Sequence, residues 1–204
     1  MRVPTPSNDD IAYVRQLAES GARAPLTGGR FMVWWGLLLT VAYVAHSFAI
    51  TTALGRNGAV FGIIWVGFGL VGTLGQVILA RSMGAMPGGG SAGNLAARTV
   101  WGAGAFAIVA MTLGAAVAAQ TGAGPSAFDG IAPVAFAVYA CALIVTGSLA
   151  GDRMIRMAGF GAVLMVGVFT ALIAHPDRYL IAAAGVALTV LLPGILLVAR
   201  EPRR

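Results

Sequence analysis

With 204 residues, 58% hydrophobic and only 10% charged, this chain carries too little charge to cover a water-exposed surface. Its formal charge of +6 comes from 13 basic residues, every one an arginine, against 7 acidic ones. An ordinary soluble domain is excluded. So is a nucleic-acid module, because the arginines stand at the ends of apolar runs instead of clustering on one folded face.

Residues 1–30 form a polar N-terminal segment. Within it, 7–20 is expected to be a short amphipathic helix. Ser7 can cap it with Asp10 three residues on, Asp9 and Asp10 suit its positive start, and Gly21 can end it. Ile11, Val14 and Leu17 fall on one stripe, while Arg15, Gln16 and Glu19 face elsewhere. So short a helix is marginal alone in water. Its stripe therefore rests on the membrane interface, on the protein's own cytoplasmic surface, or on a partner, which would make it a docking helix. No cleavable signal peptide is visible, and the first apolar run is expected to serve as an uncleaved targeting signal.

Six apolar runs follow, near 31–54, 60–80, 99–119, 131–150, 154–174 and 179–199. Each has the roughly 20 residues that carry a helix across a hydrocarbon core of about 30 Å. A transmembrane barrel needs alternating polarity, which is missing here. The predicted architecture is an all-α integral membrane protein. It is a six-transmembrane-helix bundle of three helical hairpins, preceded by the short amphipathic cytoplasmic helix. Hairpin 1 covers 31–80 and hairpin 2 covers 99–150. Hairpin 3 covers 154–199, and 200–204 is a cytoplasmic tail. Between hairpins 1 and 2, residues 81–98 read as a flexible Gly/Ser linker; Gly88-Gly89-Gly90 there has neither the preceding strand nor the following Lys-Ser/Thr of a phosphate loop.

With the N-terminus inside, 11 arginines fall on the inner side and only Arg56 and Arg178 outside, so both termini are expected in the cytoplasm. Trp34, Trp35 and Trp101 then mark the inner interface and Tyr179 the outer one. The outer loops are short, which rules out a large ectodomain.

The hairpins look alike. Odd spans open with Arg30…Gly36, Arg98…Gly102 and Arg156…Gly161. Even spans close with Gly75, Gly147 and Gly194, each six residues before an arginine. Because every hairpin has one orientation, these would be parallel repeats, unlike the inverted repeats of many transporters. In span count and hairpin rhythm the pattern resembles the small six-span HdeD-like acid-stress membrane proteins, a likeness that carries no residue role to this chain.

The 29 glycines, many inside spans, and the alanines of spans 4 and 6 predict tightly packed helices with small faces to spare. Pro133 sits where a first helical turn tolerates it; Pro193 should break the ladder of span 6. No Asp, Glu, Arg or Lys lies deep in a span, which argues against proton-driven transport. There is no His-Glu-x-x-His motif, and the lone Cys141 builds neither a disulfide nor a thiolate metal site. No catalytic residue and no metal site is expected.

His46 and His175 approach the same side of the membrane, so a haem or pigment held by both is conceivable. The plainer roles are an interhelical bond for His46 and a headgroup contact for His175. Most span threonines can bond to their own helix. Gln76 and Tyr139 demand more: an interhelical partner, or a wet cavity to line. Three functions remain. The first is a non-catalytic accessory, scaffolding or assembly subunit, whose partners are the bilayer, other membrane subunits and a cytoplasmic protein on 7–20. The second is a channel or facilitator for a small neutral solute. The third is a haem- or pigment-binding protein. The absence of lysine beside abundant Gly, Ala and Arg points to a GC-rich genome and a bacterial inner membrane.

Overall fold

The computed structural model describes residues 26–83 and 90–201. The expected helix 7–20, with Ile11, Val14 and Leu17, lies outside them. Among the described residues every regular element is helical, and six helices are long and apolar enough to cross a membrane. They are α1 (Gly29–Thr51), α2 (Ala59–Met83), α3 (Ala92–Ala118), α4 (Ile131–Leu149), α5 (Arg153–Ala171) and α6 (Arg178–Ala199).

Of the expected linker 81–98, residues 81–83 and 92–98 are helical, and 84–89 lie outside the described residues. α2 runs on to Met83, and α3 begins at Ala92, where the Ser91 side chain accepts a bond from the Asn94 amide as an N-cap. α3 also outruns its apolar stretch, through a π turn at Ala119–Ala123 and a 3₁₀ turn at Gly124–Phe128. Gly122 and Gly124, at φ +120° and +65°, supply the backbone that ends it. In α6 a π turn at Ala187–Leu191 sits immediately before Pro193, so the ladder re-registers where the proline removes a donor.

The packing order is α2–α1–α6–α5–α4–α3, each helix touching its neighbours in that row. The chain's first and last spans therefore lie side by side inside the row, and the second and third lie at its two ends. Burial follows this order. Half of the apolar stretch of α6 is buried, against 6% in α2 and 11% in α3. The core draws on α1 (Met32, Leu39, Tyr43), α4 (Phe136, Leu143), α5 (Ile155, Phe169) and α6 (Val186, Val190, Leu197). The hairpins are thus not equivalent in burial: the opening span of hairpin 1 is central, whereas that of hairpin 2 is peripheral.

Glycine makes the central contacts possible. In lipid, helices gain little from apolar burial and much from close backbone approach. A Cβ at Gly36 would stand 2.9 Å from the Leu191 backbone, and one at Gly194 would stand 2.9 Å from the Val33 amide. A Cβ at Gly159 would stand 2.8 Å from the Ile144 amide, tying α5 to α4. The three closing glycines share one property. Gly75 lies against Trp34, Gly147 against the Arg156 backbone and Gly194 against Met32 and Val33. The opening glycines do not: Gly36 is pressed on α6, but Gly102 has nothing within 4 Å.

α2 is held to α1 by two tryptophans. Trp34 Nε1 donates to the Gly72 carbonyl at 3.0 Å, and Trp35 Nε1 donates to Gln76 Oε1 at 2.7 Å. Gly72 and Gly75 leave room for the two indoles; a Cβ at Gly72 would overlap the Trp35 ring. Gly72→Leu is expected to lift α2 from α1 at a cost of about 1–3 kcal/mol, the usual range for overpacking. Thermal unfolding in detergent with tryptophan emission as the signal measures this. An unaltered melt and spectrum would mean the Trp35 contact does not hold α2.

Candidate functional site

The described residues place two polar clusters at opposite ends of the bundle. At the end away from most arginines, α1, α2, α5 and α6 meet in an aromatic cluster around His46. The His46 ring lies 4.0 Å from that of Tyr179 and 4.6 Å from that of Phe61, centroid to centroid. Tyr43 stacks on Tyr179 at 6.2 Å and meets Trp65 edge-on at 5.2 Å, and Phe169 meets Tyr179 edge-on at 5.9 Å. Trp65 Nε1 donates to His46 Nδ1 at 2.9 Å.

That bond fixes what His46 can offer. A neutral imidazole that accepts at Nδ1 carries its hydrogen on Nε2. Nε2 is then a donor, whereas haem iron binds an unprotonated nitrogen. Ligation through Nδ1 would require breaking the Trp65 bond, and ligation through Nε2 would require moving the hydrogen to Nδ1 as well. His175 lies in the loop between α5 and α6, where its Nδ1 accepts from the Asp177 amide at 3.2 Å. No hydrogen bond or ring contact joins His46 to His175 among the described residues. Nor does any group of three or more His, Cys, Asp or Glu come together there to hold a metal.

Beside this cluster Arg178 ties two loops together. Its Nη2 bonds Asp129 Oδ1 at 2.9 Å, Nη1 donates to the Ile173 carbonyl, and the guanidinium carbon lies 5.0 Å over the Tyr179 ring. The loop before α4 is thereby fastened to the start of α6. In the sequence Arg178 stands out only as a topological exception, and Asp129 not at all. The available signal was one acid and one base, each just ahead of an even span on the arginine-poor side.

Gln76 and Tyr139 take interhelical roles here. Gln76 accepts from Trp35, and Tyr139 stacks on Trp101 of α3 at 5.8 Å with Phe136 edge-on at 5.9 Å. They occupy different helices, α2 and α4, and neither lines the groove beside Arg153 or the one beside Thr40. Tyr179, expected at an interface belt, is buried in the aromatic cluster. Thr40, Thr112, Thr170 and Thr189 each bond the carbonyl four residues back at 2.7–2.8 Å, as span threonines do. Thr146 is the exception: its hydroxyl is buried in α4 with no hydrogen-bond partner among the described residues. Cys141 lies on an exposed face of α4.

At the arginine-rich end, Arg30 of α1 pairs with Glu201 at 2.8 Å, and Arg200 approaches Asp152 at 3.5 Å. Asp152 also caps α5 by accepting from the Ile155 amide at 3.1 Å. Asn94, buried at the start of α3, accepts from the Thr27 amide at 2.9 Å and from the Thr27 hydroxyl at 3.1 Å. The chain entering α1 is thereby bonded directly to the start of α3.

These features define a multi-pass helical membrane protein whose side-chain chemistry is concentrated at its two ends. Comparisons with protein-family models, curated proteins and solved structures find no match to this chain.

Proposed function

We propose that this protein is a non-catalytic accessory or scaffolding subunit of a larger assembly in a bacterial inner membrane, with both termini in the cytoplasm. The observation that carries the reading is the open glycine face of α2. Gly62 and Gly69, seven residues apart and so on one face, have nothing within 4 Å. A helix facing lipid alone gains nothing from glycine, which costs it about 1 kcal/mol per residue relative to alanine. A helix facing another helix gains close approach. Gly102 and Gly114 leave α3, at the other end of the row, open in the same way. In this reading the parallel hairpin repeat supplies one closing glycine per hairpin for packing. The segment 7–20 docks a cytoplasmic partner through Ile11, Val14 and Leu17, and the Thr27–Asn94 bonds anchor the chain that carries it.

Purification from the native host in mild detergent, followed by mass spectrometry, tests this. The protein should arrive with stoichiometric membrane partners. A Gly62→Leu/Gly69→Leu variant should lose them while keeping its melting temperature, since both positions face open space. Deleting residues 1–22 should release a cytoplasmic partner and leave membrane partners bound. A wild-type protein that migrates alone on native gels, at the mass of one chain, would end the subunit reading.

A further inference from the structure

We propose that the groove between the start of α5 and the end of α6 binds an acidic phospholipid headgroup, with its phosphodiester held by Arg153 and Arg200. The inference goes beyond the subunit reading and does not depend on it. The groove is an open cavity of about 480 Å³ lined by Gly151, Asp152, Arg153, Met154, Met157 and Arg200.

Charge availability singles out this place. At the same end, Arg30 is committed to Glu201 at 2.8 Å. At the opposite end, Arg178 is committed to Asp129 at 2.9 Å. In the groove, Arg200 stands 3.5 Å from Asp152, longer than the roughly 2.7–2.9 Å of a well-made charge-assisted bond. Asp152 already spends its other oxygen capping α5. Arg153 makes no hydrogen bond or ion pair among the described residues, and neither does Arg156 one turn on. The lining holds one carboxylate against two guanidiniums, so an anion is the charge it lacks.

Shape argues for a lipid over a free anion. Gly151, at φ +65°, makes the α4–α5 turn without placing a side chain over the mouth. The two methionines make part of the lining apolar. Below it, Met157, Phe160 and Leu164 form an exposed apolar track along α5 at helical spacing. A headgroup at the arginines thus leaves its acyl chains alongside α5. Basic pockets between helix ends at a membrane surface take acidic headgroups on these grounds.

The test uses the full-length protein in a neutral detergent, titrated with phosphatidylglycerol, phosphatidylcholine or inorganic phosphate, with bound lipid read by native mass spectrometry. Phosphatidylglycerol should bind in preference to phosphatidylcholine. Arg153→Gln and Arg200→Gln should each weaken it about fivefold at low salt. Arg81→Gln/Arg98→Gln, which removes two exposed arginines from the same end outside the groove, should leave it unchanged. Arg153→Gln breaks no contact among the described residues, so its fold, checked by circular dichroism, should survive. Equal binding of the two lipids would overturn the proposal, as would equal weakening in the Arg81/Arg98 variant. Occupancy by inorganic phosphate matching that of phosphatidylglycerol would assign the groove to a soluble anion and overturn the lipid assignment.

Discussion

Gly36→Leu is expected to be among the single substitutions most damaging to the stability of this protein, and Gly62→Leu, in the next helix, to leave that stability nearly unchanged. At Gly36 even a methyl group would stand 2.9 Å from both the Cα and the amide nitrogen of Leu191. What it meets is backbone, which cannot rotate aside as a side-chain tip can. α1 and α6 would have to separate, and the contacts of Gly29 with Leu197 and of Gly194 with Met32 lie on the same seam. Loss of about 3 kcal/mol, the upper end of ordinary overpacking, is expected at Gly36. At Gly62 nothing lies within 4 Å, and within the single chain a leucine there only improves helix propensity. Paired thermal melts of the two variants in one detergent decide the matter. Equal stability would mean the α1–α6 seam is not the bundle's central contact.

Tyr179→Ala should destabilise nearly as much, and Tyr179→Phe by less than about 1 kcal/mol, the net worth of an ordinary hydrogen bond. The Tyr179 ring touches Tyr43, His46 and Phe169 and lies under the Arg178 guanidinium. Truncation removes the ring on which helices α1, α5 and α6 converge. Buried aromatic-to-alanine changes cost about 3–5 kcal/mol in water-soluble cores. The lower end applies here, because van der Waals contact is lost but the gain from hiding apolar surface from water is largely absent in lipid. Melting curves of wild type, Tyr179→Phe and Tyr179→Ala should therefore step down in that order. A phenylalanine variant as unstable as the alanine one would shift the weight from the ring to its hydroxyl.

The spans were legible because their signal is length and composition, and neither depends on what a helix packs against. Their neighbours were not legible. Nothing in the hairpin pattern says that α1 lies against α6, since that choice is made by the fit of Gly36 to the Leu191 backbone and of Gly194 to Met32, far apart in sequence. Gln76 was legible as a side chain in need of a partner, but Trp35 as that partner was not: the bond depends on how α1 and α2 are rotated. Tyr179 shows the limit most clearly. Its place at the head of span 6 suits an interface belt, yet three aromatic rings from other elements and the span itself enclose it. The Asp152 cap is legible in the sequence, because Asp-Arg-Met-Ile before an apolar run is an ordinary helix start.

The meeting of α1 with α6 sets an order on biogenesis. Helices α4 and α5 can pair as soon as both have left the insertion machinery, since only the short turn 150–152 separates them. Helix α1 enters the bilayer first among the six, with the notches at Gly29 and Gly36 uncovered until the last span arrives. A nascent chain cut short before α6 therefore presents a glycine-notched helix with no mate.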